Sequence, residues 1–234
     1  MSPAPLDPTA CPRATDLAGL TLARIVAGDA RPHALLDTLY GAQAPLALAL
    51  LAEHDATLHP HLGHVHHVAP DDWPAGPGAG WLLAPFVRVP LPPSRFSDGA
   101  FGVWYAATTV ETAQREVGWH LARWLRATEA PAPAELPRLE LAAEVAAPAR
   151  PLVDLRGRMV RRARAVLSAE SYAQSQPFGA ACRAVASWGI TWPSVRDPGG
   201  TCVGVLRPPV VAAVQPVAAW TACWDGARVT WRAA

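Results

Sequence analysis

The chain has 234 residues, half of them hydrophobic, with 20 basic against 19 acidic side chains and a net charge of +1. That length suits one well-buried domain, and the even charge balance provides no global field to draw in a nucleic acid or an acidic membrane. The four cysteines, Cys11, Cys182, Cys202 and Cys223, form no C-x-x-C pair, so zinc-ribbon and thioredoxin motifs lack support and a reduced, cytoplasmic setting is expected.

Residues 1–16 are punctuated by prolines and are expected to be poorly ordered, with one domain over residues 17–234. They hold no basic stretch followed by an apolar run of the secretory kind. Thr21 to Val26 is a β-compatible segment, and Ala44 to Glu53 reads as helix. The apolar run PLALALLA within it is too short to span a bilayer. Ala69 to Gly80 reads as loop on its prolines and glycines. WLLAPFVRVP, Trp81 to Pro90, reads as a strand ended by a proline. SRFSDGAFG is then a turn-rich loop, and VWYAA a short buried strand. Thr108 and Glu111 have capping-box spacing. Ala113, Val117, Leu121 and Trp124 follow at helical intervals as the expected buried stripe, with Glu116 and His120 one turn apart at its edge.

Pro137 to Ala146 and Pro151 to Gly157 read as two further strands. Ser175-Gln176-Pro177 opens a helix predicted to run to Ser187. Ile190 to Arg196, the turn DPGG and Thr201 to Pro208 form a strand, a tight turn and a strand. Strands outnumber helices without alternating regularly with them, which predicts an α+β fold. No G-x-G-x-x-G or Walker-type loop is present.

Two clusters invite functional readings and receive modest ones. Six of the eight histidines fall between His54 and His67, at spacings that can ligate zinc or nickel. With no H-E-x-x-H and a flanking proline and glycine, the expectation is a solvated surface segment and no metal site. RGRMVRRAR, Arg156 to Arg164, reads as a solvated helix face, with docking of an acidic partner protein as the second choice.

The block from Arg95 to Glu116 is more informative. Arg95 precedes Tyr105 by ten residues, and Tyr105 precedes Glu116 by eleven. A loop, a strand and a helix could thus bring a guanidinium, a phenol and a carboxylate around something small and charged. Downstream, Ser194 stands in WPSVRDPGG, where an ordinary turn role competes with a place in the site.

The pattern SRFSDGAFGVWYAATTVETAQRE resembles the RES domain family, bacterial toxins usually encoded beside an Xre-type antitoxin. The resemblance extends through SYAQSQPFGAACRAVASWGITWPSVRDPGGTCVGVLRPP and the tail WTACWDGARV, and back to LARIV near the start. It implies a single-domain mixed-sheet core with flanking helices, similar to ADP-ribosyltransferase-type toxins. The implied activity is NAD degradation by a glycohydrolase or phosphorylase, or ADP-ribosyl transfer to a protein target. A catalytically inactive, partner-binding module is the alternative of a different class. By the same resemblance Arg95, Tyr105 and Glu116 are the catalytic set. Arg95, Tyr105, Ser194 and Arg24 are the NAD-binding residues, although Ala23 stands where the family commonly has an aromatic. NAD would be the substrate, with no bound cofactor. The expected protein partner is an Xre-type antitoxin, with a homodimer left open and neither nucleic acid nor membrane involved.

NAD carries a cationic nicotinamide that leaves without protonation, so a single carboxylate suffices where ordinary glycosidases need two. Glu116 is the candidate to stabilise the positive charge that develops on the ribose. Arg95 would grip a phosphate group with its planar fork. Tyr105 would offer its ring face to nicotinamide, and Ser194 would position the carboxamide or a ribose hydroxyl.

Overall fold

Alternation along TLARIVA sets the centre of the molecule. Strand β2, Thr21–Ala27, turns Leu22 into one buried layer and Ala23 and Ile25 into another. The computed structural model describes residues 5–39, 43–146 and 150–234. Around β2 lie β1 (Arg13–Ala14), β3 (Trp104–Ala107), β4 (Ala134–Val145), β5 (Leu152–Asp154), β6 (Gly189–Pro193), β7 (Thr201–Val205), β8 (Val211–Trp224) and β9 (Val229–Ala233). They form one sheet in the order β1-β5-β6-β7-β3-β2-β4-β8-β9. The β5–β6 pair is parallel and the other pairs are antiparallel. The fold is therefore α+β on a single mixed sheet, as expected.

One face is covered by α1 (Leu35–Thr38), α2 (Ala44–His54), α3 (His59–Leu62) and α4 (Ala79–Val87). Their Leu36, Leu48, Leu62, Leu83 and Phe86 pack with Leu22, Trp104 and Leu141 of the sheet. The opposite face carries α5 (Val110–Ala127), α6 (Met159–Arg162) and α7 (Ser175–Ala184). Here Phe96, Val153, Met159, Phe178, Ile190 and Trp192 form a second cluster, and Ala113 of α5 packs on Ala23, Ile25 and Ala107.

Several expectations change. WLLAPFVRVP is mostly helix α4, not strand: Leu82, Leu83, Phe86 and Val87 are buried, a 3.6-residue pattern. A segment apolar on all sides carries both periods at once, so the proline was the misleading cue. Residues 5–16 are organised, with Cys11 and Ala14 buried and β1 paired to β5; residues 1–4 lie outside the described residues. The histidine-rich segment is not a loose loop, because α3 and a 3-10 turn at Val65–His67 run through it and bury Leu62, Val65 and Val68. In Arg156 to Arg164 only the four residues of α6 are helical, and Arg156 is paired with Asp154 and Asp16.

Helix α5 begins one residue later than predicted. Thr109 is its N-cap, its hydroxyl accepting from the Thr112 N–H at 3.2 Å, in place of a Thr108–Glu111 box. The face it buries is Thr112, Ala113, Gln114, Gly118, Ala122 and Leu125, while Trp124 is 56% exposed. Helix α7 ends at Ala184, short of Ser187, where Ala186 takes a positive φ of 53°.

Candidate active site

The sheet is weakly joined at its centre. Strands β2 and β3 share one register pair, Ala23↔Ala107. Beside it the Arg24 side chain replaces a ladder bond, donating through Nη1 to the Tyr105 carbonyl at 2.7 Å. Arg24 also lies over the Trp104 ring at 5.4 Å. Burial, then Arg88, lowers its pKa to about 10, so it is a cation at neutral pH. Two cavities of about 600 Å³ each share Arg24, Ile25, Ser94 and Tyr105 in their walls.

One of the two is lined by four of the five predicted site residues, all but Ser194. Arg24, Arg95, Tyr105, Glu116 and His120 line it, together with Tyr172, Trp192 and Cys202. Val117 and Trp124 of the expected buried stripe also line this cavity. The stripe is therefore split: Ala113 is buried on Ala23, Ile25 and Ala107 and Val117 packs against that cluster, while Trp124 stays exposed beside the cleft.

Glu116 is held from below. The Ser194 hydroxyl donates to its Oε1 at 2.5 Å, and the Cys202 thiol approaches the same oxygen at 3.6 Å. Ser194 Oγ also accepts from the backbone N–H groups of Arg196 (3.1 Å) and Asp197 (2.9 Å), so its one proton is directed to the carboxylate. Cys202 is 3% exposed, and burial followed by the Glu116 charge pushes its thiol well up, which keeps it protonated. Ser194 stands behind Glu116 and does not line the cavity.

The Ser194 turn is fixed to α5. Asp197 accepts from Thr112 Oγ1 at 2.6 Å and pairs with Arg115 at 3.3 Å. Gly200 makes this docking possible, since a Cβ there would sit 2.5 Å from Thr112 Oγ1. The DPGG segment thus forms its turn and also sets the height of Ser194 against Glu116.

Arg95 is 7% exposed and committed to the protein on one side. Its Nη1 donates to the Ser168 carbonyl at 2.9 Å and reaches that of Val166 at 3.5 Å, and the guanidinium lies 5.0 Å over the Tyr172 ring. Tyr105 accepts from the Phe96 N–H at 3.0 Å and shares a 2.9 Å hydrogen bond with Ser94. Burial pushes its pKa up to about 12, so the phenol is neutral. Gln176 of α7 donates to the carbonyls of Ser94 (3.1 Å) and Ser97 (3.3 Å), pinning the same loop. Gly179 lets α7 approach closely, for a Cβ there would overlap the Phe96 carbonyl.

Tyr172 and Gln176 are site residues that the sequence reading missed. Tyr172 meets His120 Nε2 at 3.3 Å across the mouth, and Arg196 stacks 3.4 Å over Trp119 outside it. Only the polar run SYAQSQ, which contains both, hints at either residue. Cys202 appeared in the sequence solely as an unpaired cysteine. Its alternation with the core residues Val203 and Val205 is the signal that turns it towards Tyr105.

One solved relative is a chain of the M. tuberculosis MbcT-MbcA toxin-antitoxin complex, with 15% identity and a TM-score of 0.40, covering 57% of this chain and 73% of that one. No curated protein matches the chain. A family model described as "RES domain" matches residues 65–225, a span that includes Arg95, Tyr105, Glu116 and Ser194 but not Arg24. The chain belongs to the RES domain family.

Proposed function

We propose that this protein is a toxin-type enzyme that consumes NAD by cleaving the nicotinamide–ribose bond, with water or phosphate as acceptor. The observation that carries the reading is one carboxylate, Glu116, braced on Oε1 by Ser194 and Cys202 at the wall of a cavity that Arg95, Tyr105 and Tyr172 complete. In the reaction the C1″–N bond breaks and its electron pair returns to the pyridinium nitrogen, releasing neutral nicotinamide. The electron-poor ribose is then captured by an oxygen of water, which loses a proton, or of phosphate. Glu116 stabilises the ribose charge as it grows, and it orients the incoming oxygen and takes the proton that an attacking water releases. Trp192 and Tyr105 meet edge to face at 6.2 Å and offer aromatic surface to the leaving ring.

Arg95 is placed to receive a phosphate oxygen with whatever part of its fork the Ser168 carbonyl leaves. Arg24, half-buried in the wall between the two cavities, supplies a second fixed charge. By analogy with its family the chain is neutralised by an antitoxin of the Xre type.

The test is incubation of purified protein with NAD, with and without phosphate, and mass spectrometry of the products. Nicotinamide with ADP-ribose indicates water as acceptor, and nicotinamide with a phosphorylated ADP-ribose indicates phosphate. Modification of an added protein, with no free turnover, would instead establish ADP-ribosyl transfer. Glu116→Gln should remove roughly 10³-fold of turnover; wild-type NAD consumption by that variant would sink the assignment.

A further inference from the structure

Outside the cleft, the histidines gather into a defined constellation. The sequence His64-Val65-His66-His67 folds as a 3-10 turn because Val65 is buried in the core and draws the backbone down. The turn is tied at both ends. His64 N–H donates to the Val87 carbonyl of α4 at 2.8 Å, and Arg183 of α7 donates to the His67 carbonyl at 3.2 Å. Three imidazoles then share one side of the turn. His64 and His67 stack at 4.4 Å and 11°, and His66 stands edge-on to His67 at 4.4 Å and 83°. One ring nitrogen from each lies within 4.8 Å of the other two.

Hydrogen bonding does not explain this packing. Nδ1 of His64 and Nδ1 of His67 are shut off from solvent and have no hydrogen-bond partner among the described residues. A buried polar nitrogen left in that state is unfavourable and calls for a partner.

From this geometry we infer that His64, His66 and His67 form a three-histidine site for a borderline divalent transition ion such as Zn2+. Three imidazole nitrogens with no carboxylate among them suit zinc and disfavour magnesium or calcium. Zinc–nitrogen bonds of about 2.0–2.1 Å require the three nitrogens to draw together and the stacked pair to open. Exposed His66 can swing inward for this, and its side of the site leaves a fourth position to water. The ion would clamp the turn that joins α4 to α7. None of the three histidines lines the Glu116 cavity, so the inference stands apart from the proposed activity.

The test uses full-length protein without a histidine tag. Co2+ is titrated and followed by its visible absorption, and bound Co2+ is then displaced with Zn2+. One equivalent should bind with the strong absorption of a four-coordinate ion, and Zn2+ should raise the thermal midpoint. His66→Ala, an exposed change that leaves the metal-free midpoint where it was, should weaken binding at least tenfold and abolish the Zn2+ response. His59→Ala should change neither. Absence of a stoichiometric cobalt spectrum, retention of wild-type affinity in His66→Ala, or an equal loss in His59→Ala would each overturn the site.

Discussion

Ser194 donates its hydroxyl proton to Glu116 across 78 positions of sequence, and the same oxygen closes its own turn by accepting two backbone N–H groups. One side chain therefore couples the shape of the DPGG turn to the orientation of the proposed catalytic carboxylate. Ser194→Ala removes a hydrogen bond to a charged group, an effect of about 1.5–3 kcal/mol. Turnover should fall roughly 10- to 100-fold, with KM for NAD little changed. If kcat were unchanged while stability dropped, Ser194 would be a turn residue alone.

Arg95 has two obligations and should show both when altered. Its guanidinium satisfies the Ser168 carbonyl and covers the Tyr172 ring while facing the cavity. Arg95→Ala should raise KM for NAD and also cost roughly 2 kcal/mol of stability, read as a lower denaturation midpoint. Arg95→Lys can restore one hydrogen bond but not the planar fork. It should recover part of the stability and little of the substrate affinity. Full recovery of both by lysine would show that point charge is all the site requires.

For Tyr105, ring and hydroxyl can be separated. The ring lines the cavity, and the hydroxyl anchors the loop through Phe96 N–H and Ser94. Tyr105→Phe keeps the aromatic face but leaves those partners unsatisfied, which should cost about 1–2 kcal/mol and loosen Arg95. Tyr105→Ala should lose the aromatic contribution as well, so its turnover should be lower still. Equal turnover in the two variants would assign the whole effect to the hydroxyl.

The legible part of this site is the part encoded locally. Arg95, Tyr105 and Glu116 lie in one loop–strand–helix unit, whose spacing allows one cavity to hold them and whose resemblance to the RES pattern picked them out. The bracing is not local: Cys202 reaches Glu116 from 86 residues away, and Gln176 pins Ser94 from 82 away. Such contacts depend on the sheet order, which places β7 beside β3 and which no window of sequence encodes. The fold shows the same division. Strand β2 and the β6–β7 hairpin were readable from their patterns, whereas WLLAPFV, buried on most sides, gave no clear period. The open cleft also splits the stripe of α5, leaving Trp124 exposed where helical spacing alone predicts burial.

His120 gives the mouth of the cleft a pH dependence. It is packed on Trp119 and hydrogen-bonded to Tyr172, with Glu116, Arg95, Arg123 and Arg196 as its charged neighbours. His120 keeps part of its ring open to solvent, and the desolvation of the rest lowers its pKa below the ordinary 6.5 of histidine; the Glu116 charge opposes that effect, and the three arginines reinforce it. The unfolded chain therefore takes up this proton more readily than the native one. Its contribution to stability is complete above pH 6.5 and is lost as pH falls through and below that value. The denaturation midpoint of the wild type should therefore drop more steeply on acidification below pH 6.5 than that of His120→Gln, which does not titrate there and can still meet the Tyr172 hydroxyl. Parallel pH profiles for the two proteins would show that this imidazole is solvated and plays no part in the acid sensitivity of the cleft.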